Sequence, residues 1–374
     1  MKIYTEYDVK RCIQKALGSK AVCFSRYISE NCGLNQDEMQ ILIRKINETY
    51  DLHIVVKEDI SLNGLVEKMN QELGLNKLII KDFFLEICNQ NPKGNAIQFD
   101  EDIITYENLL DTVQKLANGL YMRGIRKGGK VAVILSNRVE YIFIYFALFY
   151  IGAYPIPINT RWAKEEVFNV LNDSKAEMIV TEEKIGSLSV GEYVEEYIRQ
   201  NVHVHTVVYF EKNRYKDKGI AFGEILTEKE FFNEQEKVQP DDIAMLSYTS
   251  GTTGTPKGVM LKQNDIVKIS AYTTQIWRNE EEEYPLSIAP LYSAQGFLSL
   301  FINFAIGKTF KMLSSFNPND ILKVISKGEN TILHTQPTMW SLLLNCRIVN
   351  FTNFSSLKNL LYPGRFAARN WHEK

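Results

Sequence analysis

Apolar positions recur in two different rhythms along the 374 residues. Before Leu78 the rhythm is helical. In Gln36–Tyr50, Met39, Leu42, Ile43, Ile46 and Tyr50 fall on one face, at the three-and-four spacing that a 3.6-residue turn brings together. Val9–Leu17 reads as a helix too, and so does Ile60–Leu73, with Leu62, Leu65, Val66 and Met69 inward. No strand rhythm interrupts them. Residues 1–78 are therefore expected to form a small all-α module, with Gly74 and Asn76 marking a linker.

From Ile79 the rhythm changes. Helix Asp82–Gln90 stops at Asn91-Pro92-Lys93-Gly94, and Lys130–Leu135 is a continuous apolar run, as expected of a parallel strand buried on both faces. Further strand-like runs lie at Ala96–Asp100, Ala153–Ile158, Glu177–Glu182, Val202–Phe210, Asp241–Gly251, Pro285–Tyr292, Lys308–Leu313 and Thr331–Gln336. Helix-like runs separate them: Tyr106–Met122, one from Glu140, Ala163–Leu171, Phe297–Ala305, Pro318–Lys327 and Thr338–Asn345. The alternation predicts an α/β layer built on a parallel sheet over 79–374.

One run invites another reading. Tyr141–Thr160 carries no charge and has the length of a bilayer span. Gly152, Pro155 and Pro157 break its second half, and proline removes a helix donor. A buried helix followed by a buried strand or turn fits better than a membrane span. The balance of 45% hydrophobic and 24% charged residues is that of a soluble globular chain, and the net charge of −2 gives no field for nucleic acid. Cys12, Cys23, Cys32, Cys88 and Cys346 match neither a zinc motif nor a disulfide framework, which points to reduced thiols in a cytoplasm. His203 and His205 alternate on the Val202–Phe210 run without a visible third ligand, so no metal site is assigned. The acidic run Glu280–Glu283 reads as a solvated loop.

The chemistry concentrates in Tyr248–Gly258, YTSGTTGTPKG. Glycines let backbone N–H groups approach a phosphate, the Ser and Thr hydroxyls add donors, and Lys257 adds a charge. A Walker A loop is excluded, because Gly251, Gly254 and Lys257 are spaced three apart and Pro256 precedes the lysine.

This stretch resembles the signature loop of the AMP-forming acyl-CoA synthetases, within the adenylate-forming superfamily that includes firefly luciferase and peptide-synthetase adenylation domains. The resemblance runs from about Ile79 to about Leu361. It is carried also by Ile104–Trp162, by APLYSAQG (Ala289–Gly296) and by QPTMWSLLL (Gln336–Leu344). It implies the layered parallel-sheet N-terminal part of an adenylate-forming enzyme. It also implies a ligase in which a carboxylic acid reacts with ATP, assisted by Mg²⁺, to give an acyl adenylate and pyrophosphate. Coenzyme A or a carrier thiol then displaces AMP. Carried over residue by residue, Thr249, Ser250, Gly251, Thr252, Thr253, Gly254, Thr255 and Lys257 would hold the β- and γ-phosphates, with Lys257 as the catalytic charge beside pyrophosphate. Asn159-Thr160-Arg161 matches the N-x-R of acyl rather than amino-acid activators, pointing to a fatty or aryl acid. Ser293 and Gly296 fall at the acyl-pocket segment, where Ser293 replaces the family's histidine. His334 reads as a strand residue and not as that histidine's substitute.

The family's later segments, Tyr-Gly-x-Thr-Glu, Tyr-x-Thr-Gly-Asp and a C-terminal domain bearing a catalytic lysine, are absent here. One transition-state contact of about 3 kcal/mol is worth roughly a hundredfold in rate, so the chain alone is expected to be inactive. Residues 362–374 depart from the pattern. Either the reading frame is interrupted near Tyr362, or a second chain supplies the C-terminal half of a split ligase. A non-catalytic interaction protein is the alternative function.

The module 1–78 weakly resembles an acyl carrier protein. A carrier needs Asp-Ser-Leu at the start of its second main helix, but GLNQDEMQIL has no serine there and Ser61 falls later. The module is either a carrier-like remnant or an unrelated helical piece that docks on a synthase partner. Incubation with a phosphopantetheinyl transferase and coenzyme A is expected to leave the mass of the chain unchanged. A gain equal to the phosphopantetheine arm would overturn that reading.

Overall fold

The computed structural model describes residues 36–50, 53–55, 68, 78–210, 219–226, 237–249, 256–277, 285–305, 307–328, 332–335, 337–357, 359–362 and 365–367. Two compact units emerge, one from 1–78 with 267–279, the other from 79–266 with 280–374.

In the first unit, α1 (Gln36–Tyr50) buries Leu42, Ile43 and Ile46, as expected of its inner face; the side chains of Met39 and Tyr50 lie outside the described residues. The Asn47 side chain then acts as a substitute strand partner. It donates to the Ile54 carbonyl (3.0 Å) and accepts from the Ile54 N–H (3.1 Å). The helix expected at Val9–Leu17 lies outside the described residues, as does that at Ile60–Leu73 apart from Lys68.

The second unit starts with α2 (Ile80–Gln90) and the antiparallel pair β1 (Asn95–Phe99) and β2 (Asp102–Thr105). Thr105 caps α3 (Tyr106–Met122) by accepting from the Asn108 N–H. A run of βα units follows. It comprises β3 (Lys130–Ile134), α4 (Val139–Tyr150), β4 (Tyr154–Pro157), α5 (Lys164–Ser174), β5 (Met178–Thr181), α6 (Val190–Gln200), β6 (Thr206–Tyr209) and β7 (Gly219–Ala221). Their strands form an all-parallel sheet in the order β4-β3-β5-β6-β7. The ribbon β8 (Ile243–Thr249) and β9 (Lys257–Lys262) comes next, then α7 (Gln263–Trp277). The remainder is β10 (Pro285–Ser287), α8 (Ala294–Ala305), β11 (Phe310–Met312), α9 (Pro318–Ser326), β12 (Ile332–His334), α10 (Pro337–Leu344), β13 (Asn359–Tyr362) and β14 (Arg365–Ala367). A seven-stranded sheet, β14-β13-β12-β10-β11-β1-β2, is parallel through its middle and closed at each edge by an antiparallel strand. The architecture is α/β with parallel sheets.

The uncharged run from Tyr141 is α4 followed by β4. Every residue from Tyr141 to Tyr150 is buried. Phe146 stacks on Phe84 at 4.3 Å between ring centroids, and Phe149 meets Phe301 edge-on at 5.9 Å. Among the described residues no helix is long and apolar enough to cross a membrane. The Val202–Phe210 run pairs as a strand only from Thr206. His203 lies in the preceding turn, 3.2 Å from the Tyr197 hydroxyl, so the expected alternation of two histidines on one strand face is not formed. Arg365–Ala367, in the stretch read as off-pattern, pairs with β13.

Gly119 shows how tightly the layers meet. A Cβ placed there would lie 1.7 Å from the backbone oxygen of Ile225. Helix propensity alone favours Gly→Ala by about 1 kcal/mol. The backbone clash outweighs it, and Gly119→Ala is expected to cost about 1–3 kcal/mol net. Urea unfolding of the two proteins checks the sign.

Candidate nucleotide-phosphate site

The order β4-β3-β5-β6-β7 places a topological switch point between β3 and β5, where open α/β sheets bind ligands beyond their carboxyl ends. Here the chain's own side chains meet at that point. Glu182, just after β5, accepts from the N–H (2.8 Å) and hydroxyl (2.7 Å) of Ser136, just after β3. The Arg138 guanidinium stands 3.8 Å from Glu182, bonds both oxygens of Glu140, and lies 3.6 Å above the Phe210 ring. A nearly buried carboxylate is thus matched by donors and a cation.

The neighbouring loop ties the two sheets together. The Asn137 side chain accepts from the Leu291 N–H (2.9 Å), and the Tyr145 hydroxyl donates to the Leu291 carbonyl (2.9 Å). Both backbone groups of buried Leu291 are so satisfied from the β3–α4 unit. Two residues on, Ser293 donates to the Pro290 carbonyl (2.7 Å) and accepts from the Gly296 N–H (3.1 Å) at the start of α8. Gly296 is buried, and a Cβ on it would fall 2.1 Å from the Pro290 oxygen. Ser293 and Gly296 therefore shape the turn itself.

The glycine- and threonine-rich stretch is bracketed by a hairpin. In the β8–β9 ladder Tyr248 is opposite Gly258, and Thr249 is opposite Lys257. Ser250, Gly251, Thr252, Thr253, Gly254 and Thr255 lie outside the described residues. At the mouth, Thr249 and Lys257 are both exposed. Lys262, at the far end of β9, is held by Asp241 at 2.8 Å, whereas Lys257 makes no ion pair with any described residue. The root of the ribbon is anchored. Tyr248 is buried with Ile156 and Val170, and its hydroxyl donates to Asp173 Oδ2 on α5 at 2.5 Å. Asn159, before α5, forms a turn by accepting from the Arg161 N–H (2.9 Å), and Arg161 is exposed. The Tyr248–Asp173 and Ser136–Glu182 bonds carry no signal in the sequence, because their partners are far apart in it.

Among the described residues no three His, Cys, Asp or Glu could together hold a metal ion. His334, in β12, is fully buried, and burial pushes its imidazole down to about 3.

A family model described as "AMP-binding enzyme" matches residues 84–369. The chain belongs to the AMP-binding enzyme family. The match runs past Leu361 into β14. The long-chain-fatty-acid–CoA ligase of Bacillus subtilis is 28% identical over 321 residues, covering 78% of this chain and 56% of that protein. The 2-succinylbenzoate–CoA ligase of Bacillus cereus is 25% identical over 274 residues, covering 73% and 51%. Among solved structures, the anthranilate CoA ligase AuaEII in complex with anthranoyl-AMP superposes with a TM-score of 0.67 at 20% identity, covering 76% of this chain and 54% of that one. The chain thus spans about half the length of the curated relatives it matches.

His334 generates a test of the buried strand. The unfolded imidazole takes a proton near pH 6.5 and the folded one only near 3, so the unfolded state binds more protons in between. Stability then falls on acidification by up to about 1.4 kcal/mol per pH unit across that window. From pH 7.5 to 5 this group is expected to remove about 2 kcal/mol. In urea melts at the two values, His334→Gln should lose correspondingly less than the wild type.

Proposed function

We propose that this chain forms the ATP-phosphate-holding part of an acid–thiol ligase that activates a fatty or aryl carboxylic acid. The observation that carries the reading is the hairpin mouth. An exposed lysine without an ion pair among the described residues stands opposite an exposed threonine, and a Gly/Thr run lies between them in the sequence. Such a mouth suits an anion rich in oxygens. Thr249, Ser250, Gly251, Thr252, Thr253, Gly254, Thr255 and Lys257 would surround the β- and γ-phosphates, with N–H and hydroxyl groups as donors and Lys257 as the point charge.

In the reaction a carboxylate oxygen attacks the α-phosphorus, the bond to the bridging oxygen breaks, and pyrophosphate leaves. Lys257 then stabilises charge that grows on the departing group. Mg²⁺ supplies further neutralisation of the phosphate oxygens when it accompanies ATP. A thiol, that of coenzyme A or a carrier, displaces AMP in the second step. Asn159-Thr160-Arg161 supports an acyl substrate, and the fatty-acid and succinylbenzoate ligases among the relatives fit it. The full two-step activity is proposed for the length those relatives have, in one polypeptide or two.

Calorimetric titration with Mg-ATP tests the assignment. A charged hydrogen bond is worth about 1.5–3 kcal/mol, so Lys257→Ala is expected to weaken binding roughly 10- to 100-fold. Equal binding by both proteins would remove the loop from the site.

A further inference from the structure

We propose that Tyr248 is a positioning residue for Thr249 and Lys257 at the hairpin mouth, fixing both strands just beneath them through its bond to Asp173 and its packing against Gly258. The inference rests on the phosphate reading above and adds to it the part that holds Thr249 and Lys257 in place.

Two contacts of one ring carry it. The hydroxyl donates to Asp173 Oδ2 at 2.5 Å, and Asp173 sits in the last turn of α5. That bond crosses from the ribbon to the layer of helices on the five-stranded sheet. Ring atoms Cε1 and Cζ also lie 3.3 Å from where a Cβ on Gly258 would stand, and Leu246 Cδ1 lies at 3.0 Å. Gly258 leaves the space that the ring occupies. Because Tyr248 and Gly258 are ladder partners, a single side chain fixes the incoming strand through its own backbone and the outgoing strand through this contact. The next pair outward is Thr249 and Lys257.

The ribbon needs such an anchor. Two strands alone are marginal in water; β8 packs along β4 and buries Ala244 and Met245, but β9 is exposed from Lys257 to Met260. With its root loose, Lys257 would sample many positions, and ordering it on a phosphate would weaken binding. Burial, with the carboxylate of Asp173 beside it, also raises the Tyr248 phenol well above its ordinary range, so the group remains a donor.

The experiment uses the full chain in calorimetric titrations with Mg-ATP and with AMP, which lacks the β- and γ-phosphates. Tyr248→Phe removes the hydroxyl alone. Asp173→Ala removes an exposed side chain and leaves the core untouched. Each is expected to weaken Mg-ATP binding about 3- to 10-fold while AMP stays within about twofold. In the double variant the losses should not add, because both remove one bond. A purely architectural tyrosine would lower the melting temperature and leave the ratio of ATP to AMP affinity where it was. That result in either variant overturns the proposal. Wild-type and Lys257→Ala proteins that bind Mg-ATP alike overturn the phosphate reading itself. Should Tyr248→Phe not fold, Asp173→Ala decides alone.

Discussion

A helix with no polar face has to be enclosed on every side, and α4 is such a helix. From Tyr141 to Tyr150 every residue of it is buried. Phe84 of α2, and Phe297, Phe301 and Phe304 of α8, supply rings on its surface. Each buried aromatic contributes about 1.5–3 kcal/mol, and each well-set ring pair about 0.5–1.5 kcal/mol more. This one requirement brings helices from both sheets together. It also sets Tyr145 where its hydroxyl meets Leu291, so the loop before α8 takes its position from the core beneath it.

The sheets then divide the labour. At the carboxyl ends of β3 and β5, where a doubly wound sheet offers a binding crevice, Ser136, Arg138, Glu182 and Phe210 satisfy one another. The five-stranded sheet serves as a platform. The exposed donors lie instead on a ribbon outside both main sheets, fastened to that platform at Tyr248.

Much of this was legible in the sequence. Gln36–Tyr50 and Tyr106–Met122 have in the structure the bounds their periodicity predicts, because an amphipathic helix writes its period into the chain. The parallel strand at Lys130 shows itself as an unbroken apolar run. Other features left weaker traces. Helix Val190–Gln200 is rich in Glu and Tyr and begins at a Val-Gly pair, so local propensity understates it. β9 alternates poorly because it is exposed along nearly its whole length. His205 lies just before β6, since the run that contains it is apolar before it is paired. At the site, residue types and spacing mark the loop. The Asp173 bond depends on where α5 falls in space, and no local pattern encodes that.

The ribbon has one more consequence, for how copies of this chain tolerate one another. β9 exposes Val259 and Met260, and among the described residues only β8 pairs with it. An apolar strand with an open backbone edge invites another like it to zip alongside. Lys257, which has no ion pair among the described residues, stands at one end of the strand, where an approaching copy would meet its charge. The charge proposed to meet phosphate at the mouth would thus also guard the edge against self-pairing. Salt, which screens charge over roughly 10 Å at 0.1 M, would loosen that guard before it loosened the buried core.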